Sequence, residues 1–495
     1  MGKKLNLSFV YLYGIALFLY ILYRAIHLSF TFDEVTTVQI AQGEDWNKIA
    51  LTANNHFLNV VLIKLNMFFF EANEWVYRLP NVLSFILYLI YSFKIGKLLV
   101  PKYFLAAFIL LTSMPFLLDF FSLARGYGLA LSFIISSAYY LVKYCNSQRL
   151  FFGLSSLFLG VLAVLSNFTS LNYFIPLLFI LLTYTLINKN NRKLNLSLII
   201  GGTSLFLFLI FPVLLELKNS GEFYFGGRSD FVTDTIFSLA RCFAYFQLNI
   251  SFAQIIFLIL FLMAVSLTLW KLTTSILNKE LKGELALGLL FVLSILSPIS
   301  QNILFNNNFP VERTALIYYP LLVLTLLSFL EIIKTKAYKI FIISLSFCFF
   351  LQNIYTSNTR YSYSWRFDAG TKGILKHLQI NNTSGDEVSL GIDYIFLPST
   401  WFYRSFYGFH ELSYEVFMSN WNFPYRLEEL DPYYFGAHSE IGRTISKKEI
   451  YTVLKDQFDY YYISKNFMNA LEKHKVKFKV IRRFDTVGSY LITVK

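Results

Sequence analysis

Long apolar runs alternate with short polar stretches from Leu7 to Tyr355. Eleven of these runs approach or exceed the roughly 18 residues that an α-helix needs to cross a bilayer. They cover residues 7–30, 79–96, 103–121, 126–144, 150–166, 171–187, 194–215, 251–274, 283–300, 315–333 and 337–355. The pattern predicts a polytopic α-helical membrane protein with about 11 transmembrane helices.

Three polar stretches on one side of the predicted membrane are long, namely 31–78, 216–250 and 301–314. In the first of them, a short helix is predicted over 35–42. Residues 56–70 then place apolar side chains on one side and polar ones elsewhere. This arrangement is typical of an amphipathic helix that lies in the membrane interface.

The composition becomes that of an ordinary globular domain from about Arg366 onwards. Strand-like runs cover 388–392, 460–463, 476–482 and 490–494, and helical patterns cover 370–378 and 447–454. The alternation favours a small α/β domain. We therefore predict two domains: a transmembrane domain over 1–355, which includes the loop 31–78, and a small α/β domain over 356–495.

Composition excludes a purely soluble protein. Hydrophobic residues make up 56% of the 495 positions and charged residues only 15%, whereas soluble chains carry about 25% charged residues. The three cysteines, Cys145, Cys242 and Cys348, have no motif spacing. Neither a disulfide framework nor a cysteine metal site is predicted.

The net charge is +13. The distribution of the basic residues along the predicted topology explains much of it, so it does not indicate nucleic acid as a partner. With a cytoplasmic N-terminus, the short inner stretches hold sixteen lysines and arginines, and the longer outer loops before residue 356 hold eight. The positive-inside rule therefore favours this orientation. An odd number of spans then places the C-terminal domain outside the cytoplasm.

Asp33 and Glu34 follow the first span directly, where a helix is about to begin. One interpretation is structural, because acidic side chains stabilise a helix N-terminus and Thr31 or Asp33 can cap it. The other is catalytic: a carboxylate at the mouth of a membrane cavity, partly desolvated, takes a proton from a hydroxyl. The position favours the catalytic interpretation, with Asp33 and Glu34 as the candidate residues.

Two further candidates lie in the first loop. His56 begins the amphipathic segment and either caps that helix or orients a phosphate or a sugar hydroxyl. Arg78 lies four residues after Glu74, a spacing that favours a helical ion pair at the membrane entry. His56 and Arg78, together with Glu312 ahead of the tenth span, are also candidates for contact with an acceptor.

Two arginines on the same predicted side are candidates for binding a phosphate. Arg125 lies in a turn between two spans, beside Gly126, which allows close backbone approach. Arg313 follows Glu312 where the tenth span begins, and a guanidinium there either pairs with Glu312 or faces a polar cavity. A guanidinium binds phosphate bidentately, although snorkelling to the interface also explains Arg125.

In order and membrane side, these motifs resemble those of the GT-C superfamily of membrane glycosyltransferases. The similar group contains the protein O-mannosyltransferases and the bacterial transferase that adds aminoarabinose to lipid A. The resemblance rests on Phe32-Asp33-Glu34, Arg78-Leu79-Pro80-Asn81, Ala124-Arg125-Gly126-Tyr127, Glu312-Arg313-Thr314 and Tyr319-Pro320. The departure is His56-Phe57-Leu58-Asn59, where many relatives have His-Pro-Pro.

The resemblance implies inverting transfer of a sugar from a polyprenyl-phosphate donor to a hydroxyl of a lipid, glycan or protein. Asp33 would be the base and Glu34 its support, whereas Arg125 and Arg313 would hold the donor phosphate. No cofactor or metal is required by this chemistry, and a divalent metal stays open. The expected location is the bacterial inner membrane, with the C-terminal domain in the periplasm.

Three other functions remain open from the sequence. The first is a transporter or flippase for lipid-linked saccharides, against which the charged motifs cluster on one side and no repeated halves are visible. The second is a saccharide polymerase or ligase, which usually places its basic residues in a large central loop. The third is a non-catalytic GT-C homologue that acts as an assembly partner.

Overall fold

The computed structural model divides the chain into two units. It describes residues 2–43, 56–187, 192–219, 225–278, 283–333, 335–416, 450, 454, 458–484 and 487–494. One unit, which we call the membrane unit, consists of Met1–Ala25 and Ile40–Ser357. The other, which we call the C-terminal unit, consists of Ile26–Gln39 and Asn358–Lys495. The segment that follows the first predicted span therefore folds with the C-terminal residues.

Helices dominate the chain up to Thr356. They are α1 (Gly2–His27), α2 (Phe32–Gln42), α3 (Phe57–Phe69), α4 (Glu74–Leu99), α5 (Phe104–Thr112), α6 (Pro115–Asp119), α7 (Tyr127–Ser147), α8 (Leu150–Ser166), α9 (Leu171–Ile187), α10 (Arg192–Asn219), α11 (Phe237–Ala244), α12 (Ile250–Asn278), α13 (Gly283–Phe305), α14 (Tyr318–Ser328) and α15 (Lys336–Thr356). The helix predicted over 56–70 is present as α3, and its place in the membrane interface stays a prediction. α2 begins three residues earlier than predicted.

Within the described ranges, eight helices are long and apolar enough to cross a membrane. They are Asn6–His27, Glu74–Leu99, Tyr127–Ser147, Phe168–Ile187, Arg192–Asn219, Ile250–Ser275, Gly283–Phe305 and Lys336–Thr356. The predicted class of helical membrane protein with a C-terminal α/β domain is confirmed. The number of eleven spans stays a prediction.

The other three predicted spans have shorter or broken helices. Span 103–121 consists of α5 and α6, because Pro115 starts a new helix where its missing amide costs no hydrogen bond. Span 150–166 is the 17-residue α8. Span 315–333 begins as a 3₁₀ turn, Glu312–Ala315, and continues as α14.

Hydroxyl groups join helices inside the membrane unit. Ser137 Oγ donates to the Ser156 carbonyl at 2.7 Å and joins α7 to α8. Tyr173 OH on α9 donates to Ser137 Oγ at 2.8 Å, and Tyr88 OH on α4 donates to the Leu111 carbonyl at 2.7 Å. Such hydrogen bonds between apolar helices add directional contacts to close packing.

The second unit contains a mixed sheet. Its helices and strands beyond residue 370 are α16 (Thr371–Asn381), β1 (Val388–Ile392), α17 (Leu397–Phe406), β2 (Leu412–Val416), β3 (Tyr460–Ser464), α18 (Lys465–Lys473), β4 (Phe478–Phe484) and β5 (Ser489–Val494). The strand order is β2-β1-β3-β5-β4. β1 pairs in parallel with β2 and β3, and β5 pairs antiparallel with β3 and β4.

Four of these strands match predicted runs within two residues, and β2 was not predicted. β2 has only five residues, but Leu412, Tyr414 and Val416 alternate with polar positions, which is a strand pattern. The predicted helix over 447–454 falls largely outside the described residues.

Candidate active site

Asp33 and Glu34 lie in the first turn of α2, and both are buried. The Thr31 amide donates to Glu34 Oε2 at 3.0 Å, and the Glu34 amide donates to Thr31 Oγ1 at 3.4 Å. This reciprocal pair is a capping box. Glu34 therefore has a structural contact, whereas the Asp33 carboxylate lies outside the box.

Asp368, in the C-terminal part of the same unit, lies close to these two acids. Its Oδ2 accepts the Phe32 amide at 2.7 Å, and its Oδ1 accepts Ser399 Oγ at 2.8 Å. Burial raises the pKa of Asp368 well above its usual range; the two hydrogen bonds oppose this shift, and the charges of Asp33 and Glu34 add to it. We call Asp33, Glu34 and Asp368 the acid group.

Sequence analysis did not identify Asp368. It lies 336 positions after Phe32, in a part of the chain where no motif points to chemistry. An isolated Asp before a predicted helix usually caps that helix, so no sequence signal distinguishes it. Only the tertiary structure brings it to Asp33.

Arg125 lies in a fixed turn of the membrane unit and is fully buried. Asn59 Nδ2 on α3 donates to the Ala124 carbonyl at 3.1 Å, and Asn81 Nδ2 on α4 donates to Asn59 Oδ1 at 2.9 Å. At Gly126, an added Cβ would lie 2.1 Å from the Ser166 carbonyl oxygen. The turn therefore requires glycine beside Arg125.

His56 lies against this turn. Its ring is 4.9 Å from the Tyr127 ring, and its Nδ1 is 3.0 Å from the Ser166 carbonyl oxygen. A carbonyl accepts hydrogen bonds only, so Nδ1 carries the proton. Burial lowers the pKa of His56 well below its usual range, and the charges of Arg125 and Arg313 lower it further, against the opposing bond to Ser166. His56 is therefore a neutral imidazole with an acceptor at Nε2.

Among the described residues, no hydrogen-bond partner reaches His56 Nε2, which is buried. His56 packs against Gly126 and Tyr127, which directly follow Arg125, and the charges of both Arg125 and Arg313 act on His56. We call His56, Arg125 and Arg313 the cationic group. In this group His56 and Arg125 are buried and Arg313 is half-buried, and within the described residues His56 Nε2 is an acceptor with no hydrogen-bond partner.

Glu312 and Arg313 open the 3₁₀ turn before α14. The Glu312 amide donates to Ser238 Oγ at 2.9 Å, and the Arg313 guanidinium carbon lies 4.1 Å from the centre of the Phe225 ring. Glu312 has φ +47°, a conformation that costs a non-glycine residue of order 1–3 kcal/mol. Burial raises the pKa of Glu312, and the charges of Arg313 and Arg241 act in the opposite direction.

The segment after Phe225 holds this turn in place. Gly227 and Phe309 exchange backbone hydrogen bonds of 2.9 and 2.7 Å. Thr235 Oγ1 donates to the Pro310 carbonyl at 2.7 Å. A Cβ on Gly227 would lie 2.0 Å from Asp234 Cγ, so the pairing requires glycine there. The second long loop of the sequence therefore positions Arg313.

Arg78 is also buried, and its Nη1 donates to the Ala25 carbonyl at 2.9 Å, in the last turn of α1. A cation there stabilises a helix C-terminus. Arg24 forms a buried ion pair with Asp119, which also accepts from Tyr245 OH at 2.9 Å. A lone acid inside an apolar run, as Asp119 is, was an available sequence signal for such a pair.

No group of three or more His, Cys, Asp or Glu side chains able to hold a metal ion occurs in the part of the chain that the structure describes. Of the site residues predicted from sequence, Asp33 and Glu34 belong to the acid group, and His56, Arg125 and Arg313 belong to the cationic group. Arg78 and Glu312 lie in the membrane unit and belong to neither group.

Comparison with solved structures gives two neighbours of nearly full length. The first is ArnT from Cupriavidus metallidurans bound to undecaprenyl phosphate, with a TM-score of 0.51 and 12% identity, covering 97% of each chain. The second is the apo state of the same protein, with a TM-score of 0.50 and 13% identity, again covering 97% of each chain. No family model and no curated protein matches the chain. The chain therefore shares the fold of this ArnT, which confirms the fold that the resemblance implied.

Proposed function

We propose that the protein is an inverting glycosyltransferase of the bacterial inner membrane. It transfers a sugar from a polyprenyl-phosphate donor to a hydroxyl of a lipid, glycan or protein on the periplasmic face. The observation that carries this proposal is the cationic group. It lies in a chain whose fold matches, over 97% of both lengths, a protein solved with undecaprenyl phosphate.

The cationic group would bind the donor. Arg125 and Arg313 contact the phosphate through charge-assisted hydrogen bonds, and their charge stabilises the polyprenyl phosphate as it leaves. His56 has a different role because its Nε2 is a hydrogen-bond acceptor. It repels a phosphate oxygen, which is also an acceptor, and accepts a hydrogen bond from a hydroxyl group. We assign it to a hydroxyl of the donor sugar.

Asp33 would activate the acceptor. Its carboxylate takes the proton of the acceptor hydroxyl while that oxygen forms a bond to the anomeric carbon. The bond between the anomeric carbon and the phosphate oxygen breaks, and its electron pair stays with the phosphate. Attack from the opposite face inverts the configuration. Glu34 supports the reaction through the capping box that holds the start of α2.

The test uses purified protein in nanodiscs and a panel of radiolabelled polyprenyl-phosphate sugars offered with extracts of lipid, glycan and protein acceptors. We expect donor consumption and an inverted product for the wild type, and neither for Asp33→Asn. Donor that is bound or moved between leaflets without being consumed would refute the proposal and favour a flippase or a non-catalytic partner.

A further inference from the structure

The chain just before Asp33 is anchored at Ser29, Phe30 and Phe32 by the C-terminal part of its unit. The Phe30 amide donates to Tyr403 OH at 2.7 Å, and the Phe30 ring stacks on Phe402 with 4.3 Å between centroids. Ser29 Oγ accepts the Lys372 amide at 3.4 Å. This stretch connects α1 to α2, so its anchoring sets where α2 begins.

The third anchor, at Phe32, is Asp368. Phe32 is the first residue of α2, and its amide has no acceptor within the helix. Glu34 Oε2 takes the Thr31 amide, so the capping box leaves the Phe32 amide to another acceptor. Asp368 Oδ2 supplies that acceptor at 2.7 Å. A helix cap therefore comes from a residue 336 positions away.

Asp368 is itself fixed by a buried chain of hydroxyls. Ser399 Oγ lies 2.8 Å from Asp368 Oδ1 and 3.3 Å from Thr371 Oγ1. Thr371 Oγ1 in turn lies 3.0 Å from Tyr462 OH on β3. All four residues are buried. The sheet of the C-terminal unit is thereby connected, through hydrogen bonds, to the residue before Asp33.

We propose that Asp368 is a positioning residue for Asp33. By accepting the Phe32 amide, it fixes the first turn of α2 and with it the place of the Asp33 carboxylate. Its catalytic consequence rests on the proposed function, whereas the anchoring itself does not. The part of the C-terminal unit after Ser357, in which the sequence has no chemical motif, thus contributes to the candidate active site.

The test combines hydrogen exchange with kinetics on the full protein in nanodiscs. Asp368→Ala removes the acceptor, and we expect about tenfold faster exchange in peptides covering 28–36, since one lost hydrogen bond of about 1.4 kcal/mol is a factor of ten. kcat should fall at least about tenfold, with the donor KM changed by less than about twofold. Asp368→Asn keeps an acceptor for the Phe32 amide. Its own amide can donate to Ser399 Oγ, whose hydroxyl then donates to the Phe396 carbonyl, so this variant should restore both quantities.

Asp459→Ala is the matched control. Asp459 is exposed and accepts the Ser389 amide at 2.8 Å in the same unit, so its loss should speed exchange near Ser389 and leave 28–36 and kcat unchanged. If Asp368→Ala does not fold, Tyr403→Phe removes the neighbouring anchor and should speed exchange of 28–36 about threefold.

Unchanged exchange over 28–36 in Asp368→Ala would overturn the proposal, as would loss of kcat in Asp368→Asn with wild-type exchange. A wild type that transfers no sugar, together with faster exchange in Asp368→Ala, would refute the proposed function while the anchoring by Asp368 stands.

Discussion

The acid group and the cationic group each bring together side chains whose charged forms have one sign, and in each group burial shifts the pKa of one member towards its neutral form. In the cationic group, burial and two arginines keep His56 deprotonated. In the acid group, burial and two carboxylates favour the protonated form of Asp368. Concentrating like charge in a buried site is costly, and neutralising one member lowers that cost. The neutral members then act through hydrogen bonds.

The two groups also differ in what fixes them. Arg125 and His56 are held by side-chain amides and backbone carbonyls of neighbouring helices in the membrane unit. Asp33 is preceded by a backbone that is anchored from residues 368–403. The position of the Phe32-Asp33-Glu34 motif therefore depends on residues more than 300 positions later in the chain.

The largest expected effect is the loss of kcat in Asp33→Asn, which distinguishes the acid group from the donor-binding cationic group. Asp33→Asn should lower kcat for sugar transfer by about 10²–10⁴-fold, because it removes the general base. Donor binding should stay within about twofold, measured by binding of a polyprenyl-phosphate sugar to the protein in nanodiscs. Glu34→Gln, which keeps an oxygen for the Thr31 amide, is the control and should retain most activity. Full activity of Asp33→Asn would remove Asp33 from the mechanism.

The next effect belongs to the cationic group. Arg125→Ala and Arg313→Ala should each weaken donor binding by about 10–100-fold, because a hydrogen bond to a charged group contributes about 1.5–3 kcal/mol. Arg228→Ala, at an exposed arginine of the same unit, should leave binding unchanged. Equal binding by all three variants would assign the phosphate to other residues.

The raised pKa of Asp368 should be visible in the pH dependence of the free energy of unfolding. The folded-state pKa of Asp368 lies above its unfolded value, so the native state binds more protons between the two values. Stability of the wild type is then lost as pH rises through that window, by about 1.4 kcal/mol per pH unit. The side chain at position 368 does not titrate in Asp368→Asn. The free energy of unfolding of this variant should therefore exceed that of the wild type near neutral pH and equal it at pH 4. Thermal unfolding in detergent from pH 4 to 8 measures this.

The smallest expected effect comes from His56, which should make the stability of the wild type fall as the pH is lowered, the opposite of the effect of Asp368. The folded-state pKa of His56 is depressed, so the unfolded chain binds the proton first as pH falls below about 6.5. The wild type should lose about 1 kcal/mol between pH 6.5 and 5.5, and His56→Gln should lose less. The same thermal unfolding series measures it. A wild-type slope equal to that of His56→Gln would mean that His56 takes up its proton as readily in the native state as in the unfolded chain.

Much of the helical architecture was predictable because it depends on local pattern. Apolar runs of bilayer length, the amphipathic period of α3 and the short strand-like runs of β1, β3 and β5 are each readable within one window of sequence. The breaks were less visible: Pro115 divides one predicted span, and the five-residue β2 is too short to stand out from its neighbours.

Sequence alone also determined which residues carry candidate chemistry, since Asp33, Arg125 and Arg313 are charged residues at the ends of apolar runs. Tertiary structure decided how they are grouped and which are neutral. Asp368 has no local signal, and its role arises from one hydrogen bond across 336 positions. The neutral state of His56 depends on burial and on charges far away in the chain. Protonation and positioning follow from distances in space, whereas sequence specifies only which side chains are available.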